Sequence, residues 1–222
     1  MPNSEAPAKP NLVFILPDRL RRDSMACYGN DWIQSPHLNA LAEQSFVFEN
    51  AYVSQAVCAP SRSCIITGMY PHSTGVMVNP GVLSPDAPSV AKAVPDDYRT
   101  AWFGRWHLGD ELRSQHGFDE WVSSADLNWH QYSNPEDWAN FSDYHQFLSD
   151  AGYVPDQLHP GGKHFGLEIP AHVPPEFHMA TFLGGRVADF IDSCGDDPYV
   201  LYISTLEPHP SFTGPYDGLY DP

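Results

Sequence analysis

Short apolar blocks alternate with polar stretches along the chain, and several blocks are as long as one strand. The runs NLVFILP at 11–17 and PYVLYIS at the start of 198–212 are almost continuously apolar. Such runs are typical of parallel strands that are buried on both faces. The segment 90–109 predicts a helix, a turn and a further strand that ends in a glycine-flanked loop.

Other segments carry apolar residues at helical spacing. In 36–48, Leu38 and Leu41 predict a helix that is followed by an aromatic strand. The segment 61–68 predicts a second helix, with Ser61 as its N-terminal cap. The segment 179–194 predicts an amphipathic helix. The apolar residues on or near one face of that helix are Phe182, Val187, Phe190 and Ile191.

The order of these elements predicts an α/β fold with a central, mostly parallel sheet flanked by helices. Ligands of such folds bind beyond the carboxyl ends of the strands. Asp18, His107 and His209 each follow a different predicted strand. We therefore expect these three side chains to meet at one edge of the sheet and to form a candidate active site.

Two segments have no regular pattern. Residues 1–10 are predicted to be a polar tail, which leaves 11–222 as the folded part. Residues 110–178 are rich in His, Trp, Pro, Asn and Asp, and they predict a long irregular insertion. The Trp and His content of this insertion would suit a sugar ring in a specificity pocket.

Charge and cysteine content narrow the function classes. The 222 residues carry a net charge of −17, so binding to nucleic acid or to an anionic membrane surface is not expected. A chain this acidic is well suited to hold a divalent cation. The four cysteines contain no CxxC pair and predict neither a zinc site nor a disulfide scaffold. The apolar runs are too short to cross a bilayer and no secretory signal is recognisable, so a cytoplasmic location is expected.

The stretch CAPSRSCIITG at 58–68 has the most specific chemistry. Cys58 could be a buried structural cysteine. Its place just before the predicted helix would also suit a thiolate nucleophile with a histidine base, because a helix N-terminus stabilises an anion. Arg62 lies one turn further, and its guanidinium fork suits a tetrahedral oxyanion.

Four segments resemble motifs of the sulfatase family, in the same order. CAPSRSCIITG resembles the signature Cys-x-Pro-Ser-Arg that is followed by an apolar helix and Thr-Gly. NLVFILPDRLRRDSMACYGN at 11–30 is similar to the family's first strand and its acidic metal motif. FGRWHLG at 103–109 resembles Gly-Lys-Trp-His-Leu-Gly, and EPHPSF at 207–212 resembles a later histidine segment. The resemblance implies the N-terminal part of an alkaline phosphatase-like sandwich, incomplete at its C-terminal end.

The resemblance also implies a reaction, the hydrolysis of the sulfate ester of a small molecule or carbohydrate. Cys58 would be oxidised to formylglycine (3-oxoalanine) by a formylglycine-generating or anaerobic sulfatase-maturing enzyme, and the hydrated aldehyde would attack sulfur. Asp18 and the modified Cys58 would bind Ca²⁺. The other catalytic residues, which would contact the nucleophile, the sulfate or the leaving group, are Arg62, Arg105, His107 and His209.

Three departures from the family pattern leave alternatives open. Arg19 stands where the family usually has a second acidic or amide residue, and a cation there weakens a metal site unless it points away. Arg105 replaces a lysine and changes its geometry. A further metal-binding pair and a further lysine have no counterpart before Pro222. The alternatives are a truncated or inactive sulfatase-like protein, and a phosphonate or phosphate ester hydrolase of the same superfamily.

Overall fold

A parallel sheet of four strands forms the centre of the fold. The computed structural model describes residues 9–125, 128–166, 168–209, 214, 216, 218 and 219. The sheet consists of β1 (Leu12–Ile15), β2 (Arg99–Gly104), β3 (Glu120–Val122) and β6 (Tyr199–Ser204). Its order is β1-β6-β2-β3, and all neighbouring strands run parallel. A separate antiparallel hairpin pairs β4 (Gln157–His159) with β5 (Gly162–His164).

Helices of very different length connect the strands of the described chain. They are α1 (Pro36–Glu43), α2 (Cys58–Thr67), α3 (Pro71–Thr74), α4 (Val90–Ala93), α5 (Asp143–Asp150), α6 (Glu168–His172) and α7 (Met179–Cys194). Short 3₁₀ helices lie at Arg22–Ser24, Ala26–Tyr28, Trp129–Gln131, Pro135–Ala139 and Pro175–Phe177. None of the helices in the described ranges is long and apolar enough to cross a membrane.

The two faces of the sheet bury two separate cores. Side chains alternate along a strand, so Phe103 of β2 faces one core and Trp102 faces the other. The first core lies under α5 and α7 and contains Leu148 and Phe190. The second core includes residues of α2 and α4 and an aromatic cluster around Trp102. The central strands β2 and β6 are therefore covered on both faces, as their continuous apolar runs predict.

The strands continue to pair for a few residues beyond their carboxyl ends. The Leu16 amide donates to the Ile203 carbonyl at 2.8 Å, and the Asp18 amide donates to the Thr205 carbonyl at 3.2 Å. On the other side of β6, the Arg105 amide donates to the Ser204 carbonyl at 2.9 Å. These hydrogen bonds fix Asp18 and Arg105 at the same edge of the sheet.

The first strand differs from its prediction in burial. β1 is a parallel strand, but it is one of the two outer strands of the four-stranded sheet, and its exposure alternates. Val13 is 45% exposed and Ile15 is 54% exposed. The prediction that both faces of this strand are buried is therefore wrong, since only the face carrying Phe14 packs on the core.

Three further predictions need correction. Residues 45–48, predicted as a strand, form no strand. The helix predicted at 61–68 begins three residues earlier, so Cys58 is its first residue. The segment 110–178, predicted to be irregular, contains β3 of the main sheet, the α5 helix and the β4–β5 hairpin. The helix predicted over 179–194 is confirmed as α7, although Leu183 and Cys194 are buried there and Ile191 is 38% exposed.

Candidate active site

Cys58 occupies the first turn of α2. Val57 precedes the helix in an extended conformation, and the Ser61 amide donates to the Val57 carbonyl inside the first turn. Ser61 is therefore not the cap that the sequence predicts. The Ala59 amide, which has no partner within the helix, donates to Asn79 Oδ1 at 2.9 Å. Cys58 is partly exposed and lies at the positive end of the helix dipole.

Asp18 is the centre of a buried charge cluster. Its Oδ1 atom accepts from Cys58 Sγ at 3.6 Å, and its Oδ2 atom accepts from Arg105 Nη1 at 2.6 Å. Arg62 Nη2 lies 3.5 Å from the same Oδ2 atom. The structure thus brings together four of the residues that the sequence singles out, although they come from three separate segments.

Arg62 is held by the ends of two strands. Its Nη1 atom donates to the Arg105 carbonyl at 2.9 Å and to Ser204 Oγ at 2.6 Å. Burial lowers the pKa of the Arg62 guanidinium, and the neighbouring Arg105 lowers it further, while Asp18 opposes this shift. Ser204 is fully buried at the end of β6 and gives no sequence signal, because its partner is 142 residues away.

His107 lies in a tight loop that follows β2. Its φ of 62° is in the left-handed region, which a residue with a side chain rarely adopts. Arg105 Nη2 lies 3.4 Å from His107 Nε2. Burial lowers the pKa of His107 to about 3, and the charges of Arg105 and Arg62 contribute to the shift. The imidazole is therefore neutral at pH 7.

Glu111 is a functional candidate that sequence reasoning missed. Its side chain is fully buried, and its two carboxylate oxygens accept from the amides of Trp106 at 2.8 Å and His107 at 2.7 Å. Burial raises the pKa of Glu111, and the hydrogen bond from Trp106 and the charge of Arg105 oppose this shift. In the sequence HLGDELR, Glu111 looks like an ordinary surface acid, so its role is visible only in the fold.

His209 lies in the turn that follows β6, with its amide donating to the Leu206 carbonyl at 2.9 Å. Its charge contributes to the lowered pKa of His107, so the two histidines are neighbours. The residues after His209 in the segment EPHPSF, at 210–212, lie outside the described residues. The predicted meeting of Asp18, His107 and His209 at one edge of the sheet is thus seen in the structure.

An open pocket of about 760 Å³ gives access to this cluster. Its lining includes Asp18, Arg19, Cys58 and Arg62, together with apolar residues of β1 and of the segment before α2. Arg19 is exposed and has a φ of 67°, a left-handed conformation next to Asp18. Cationic side chains and a helix N-terminus around one pocket favour an anionic ligand.

The donor set for a calcium ion is incomplete in the described part of the chain. No group of three His, Cys, Asp or Glu side chains within these residues could hold a metal ion. Asp18 supplies one carboxylate, and Arg105 and Arg62 contact one of its two oxygens. Ca²⁺ takes six to eight oxygen ligands. The described residues alone therefore do not form the calcium site that the resemblance implies.

Comparison with known proteins decides the family. The sulfatase family model matches residues 10–221. The chain belongs to the sulfatase family. The chain spans less than half the length of the two bacterial relatives described below. This length agrees with the expectation that the chain is the N-terminal part of a sulfatase.

Two bacterial relatives and one solved structure show the range of the similarity. The chain is 34% identical to an ulvan-active sulfatase of Formosa agariphila, over 98% of this chain and 40% of that protein. It is 31% identical to an N-acetylglucosamine-6-O-sulfatase of Bacteroides thetaiotaomicron, over 70% of this chain and 27% of that protein. A phosphonate monoester hydrolase from Silicibacter pomeroyi has the same fold, with a TM-score of 0.70 and 23% identity. The match covers 96% of this chain and 44% of that protein. The sulfatase chain thus has the alkaline phosphatase-like α/β fold.

Proposed function

We propose that this chain is the nucleophile-bearing part of a sulfatase that hydrolyses a sulfate ester through formylglycine at position 58. The position of Cys58 carries the proposal, since it lies in the first turn of α2, lines the open pocket and contacts Asp18. A structural cysteine would be expected in the core, away from charged groups. Family membership supports the same role for Cys58.

The residues around position 58 suit a reaction in which negative charge develops at a sulfate group. Formylglycine there would supply a hydrated aldehyde as the nucleophile. The N-terminus of α2 and the Arg62 guanidinium, both at the pocket, would attract the sulfate and stabilise the developing charge. Arg105 would hold the Asp18 carboxylate in place through the 2.6 Å ion pair.

The two histidines would serve different roles in this proposal. His107 is neutral at pH 7 and buried, so it would accept a hydrogen bond rather than donate a proton from a charged imidazolium. His209 is only partly buried and lies near His107 at the site. We assign His209 as the acid or hydrogen-bond donor at the leaving-group oxygen.

The proposed substrate is a sulfated carbohydrate, and the proposed partner is an enzyme that converts Cys58 to formylglycine. The names of two relatives support the substrate class, since one is an ulvan-active sulfatase and the other an N-acetylglucosamine-6-O-sulfatase. A cytoplasmic location stays a prediction. Binding of Ca²⁺ at Asp18 would require oxygen ligands beyond those of the described residues.

Sequencing the source gene past the codon for Pro222 tests the calcium part of the proposal. An open frame that supplies an Asp followed by Asn or His, and then a lysine, would add the missing donors. A stop codon after Pro222 would leave no donors to add to the Asp18 carboxylate that the described residues supply. The second result would contradict calcium-dependent hydrolysis by this chain and would favour the inactive alternative.

Activity tests the central proposal. The protein is produced together with a formylglycine-generating enzyme, and the Cys58 peptide is checked by mass spectrometry for loss of sulfur. Hydrolysis of an aryl sulfate and of an aryl phosphonate is then measured side by side. For the product of the full open frame, once modified, we expect sulfate turnover and a loss of about a thousandfold or more in Cys58→Ala, because the covalent route is removed. Full activity of Cys58→Ala would contradict the proposal.

Phosphonate hydrolysis is the second candidate function. The fold of a phosphonate monoester hydrolase matches this chain with a TM-score of 0.70, but at 23% identity the match concerns the fold alone. Faster turnover of the aryl phosphonate than of the aryl sulfate would favour this candidate. A modified Cys58 without turnover of either compound would favour a protein that only binds a sulfated ligand.

A further inference from the structure

The loop that carries Arg105 and His107 binds a buried carboxylate through its backbone amides. Arg105 directly follows β2, Trp106 is fully buried, and His107 adopts the left-handed region at a φ of 62°. Two successive amides, those of Trp106 and His107, point to the same side and bind one carboxylate. Consecutive amides of this kind form a concave anion site.

The anion in this site is part of the chain itself. Glu111 is fully buried, and both of its carboxylate oxygens are used, at 2.8 Å and 2.7 Å. Its own carbonyl accepts from Trp121 Nε1 at 2.7 Å, so the residue is fixed from two sides. A buried carboxylate with two amide donors is a strong and directional anchor.

Charge balance gives Glu111 a second role. The guanidinium groups of Arg62 and Arg105 are both buried, and Asp18 alone would leave one positive charge uncompensated. The charge of Glu111 acts on both arginines. Asp18 and Glu111 thus both interact electrostatically with the two buried guanidinium groups, which reduces the cost of an unpaired buried charge.

We propose that Glu111 is a positioning residue of the active site. It holds the left-handed loop that presents Arg105 and His107 to Asp18 and Cys58, and it does so without contacting the substrate pocket. This inference rests on the proposed sulfatase function where it concerns catalysis. The part that concerns the loop rests on the two amide hydrogen bonds alone.

Glu111→Gln is the decisive variant. The amide side chain has the same shape, but its NH₂ group must face one of the two backbone amides, so one hydrogen bond becomes a repulsion. Hydrogen exchange of individual amides is measured by NMR in the wild type and the variant. We expect exchange of the Trp106 and His107 amides to become about tenfold faster or more, with little change for Phe103 in β2. Unchanged protection of both amides would overturn the inference.

The catalytic role of Glu111 is tested by measuring kcat and KM of the same variant with a sulfate ester that the wild type hydrolyses. We expect kcat to fall about tenfold to a hundredfold, with a smaller change in KM, because the loop is misplaced rather than the substrate pocket. The matched control is Glu120→Gln, which removes the carboxylate on β3 that pairs with Arg99 of β2. It should leave both kcat and the exchange of the Trp106 and His107 amides unchanged. Loss of amide protection with an unchanged kcat would overturn the catalytic role.

Two outcomes separate this inference from the proposed function. A wild type without sulfate turnover would count against the proposed function, while amide exchange would still decide whether Glu111 holds the loop. If Glu111→Gln does not fold, Glu111→Asp is measured in the same way. Its shorter carboxylate should protect one of the two amides, and full protection of both amides would overturn the inference.

Discussion

His107 combines two features that a surface histidine lacks. It has a φ of 62°, and its pKa is lowered to about 3 because burial and two neighbouring arginines disfavour the charged imidazolium. A histidine with a lowered pKa binds its proton more weakly in the folded than in the unfolded protein. The sulfatase motif predicts His107 as a site residue, but it does not predict its charge state.

The linkage between protonation and folding gives a prediction for His107. From about pH 6.5 down to about pH 3 the unfolded state binds more protons at this residue, so the free energy of unfolding falls with decreasing pH. The slope from one such group reaches about 1.4 kcal/mol per pH unit. Asparagine tolerates the left-handed conformation, so we test His107→Asn. We expect its free energy of unfolding, measured with denaturant at several pH values, to fall less steeply with decreasing pH than that of the wild type.

The control for this experiment is His130→Asn, since His130 is exposed. We expect the free energy of unfolding of this variant to depend on pH as it does in the wild type. Equal slopes for His107→Asn and the wild type would mean that His107 is not held neutral by its surroundings.

Single residues of the site differ in how far the sequence predicts them. Cys58 and Arg62 are found from the motif, because residue type and spacing are enough. Glu111 and Ser204 are not, since the fold alone brings their partners to them, two backbone amides for Glu111 and the Arg62 guanidinium for Ser204. Sequence patterns identify side chains with unusual chemistry, whereas ordinary side chains acquire a role only through their neighbours.

At the scale of elements, the close approach of the carboxyl ends of β2 and β6 positions the arginines of the site. Gly104 ends β2 with a φ of 107°, and a Cβ atom there would lie 2.0 Å from the Ser204 carbonyl oxygen. The Arg105 amide bonds to that same oxygen, and Arg62 bonds to the Ser204 hydroxyl. A side chain at position 104 would therefore push apart the strand ends that hold both arginines.

Gly104→Ala tests this requirement. We expect the variant to lose about 3 kcal/mol or more of unfolding free energy, from backbone strain and from the overlap with Ser204. Gly152→Ala is the matched control, because Gly152 has a φ of 93° but nothing within 4 Å of its Cβ position. It should lose about 1 kcal/mol from backbone strain alone. Equal losses in the two variants would contradict a specific role for the close approach of β2 and β6.

The elements themselves are predicted unevenly. Buried strands such as β2 and β6 are found because a continuous apolar run of this length is typical of a strand with both faces covered. The start of α2 is missed because Ser61 fits a cap by residue type, and because Pro60 is also favourable within a first helical turn. β3 is missed because three residues within an aromatic, proline-rich segment carry too little periodicity.

At the scale of the whole molecule, several large apolar side chains are exposed in spite of a net charge of −17. Val13 and Ile15 on β1 are about half exposed, and Phe46, Phe48 and Tyr52 are exposed by 82%, 62% and 91%. β1 is also an outer strand of the main sheet in the described residues. An unpaired strand edge beside exposed apolar side chains favours association.

We therefore expect the 222-residue chain to self-associate at micromolar concentration, as measured by size-exclusion chromatography with light scattering. The double variant Val13→Thr and Ile15→Thr should shift the population toward the monomer, because it removes apolar surface from β1 and keeps its β propensity. Val154→Thr, at an exposed position away from β1, is the control and should behave as the wild type. A monomeric wild type at all concentrations would contradict this expectation.

The position of β6 between β1 and β2 also affects how the chain is made. The Tyr199 amide at the start of β6 donates to the Asn11 side chain, 188 residues earlier, and two of the three strand pairings in the sheet involve β6. Translation at about 5 to 20 residues per second separates these two segments by roughly 10 to 40 s. During that interval the nascent chain holds β1 and β2 without their shared partner. The apolar runs that define the sheet are thus exposed to chaperones on the ribosome until the last strand emerges.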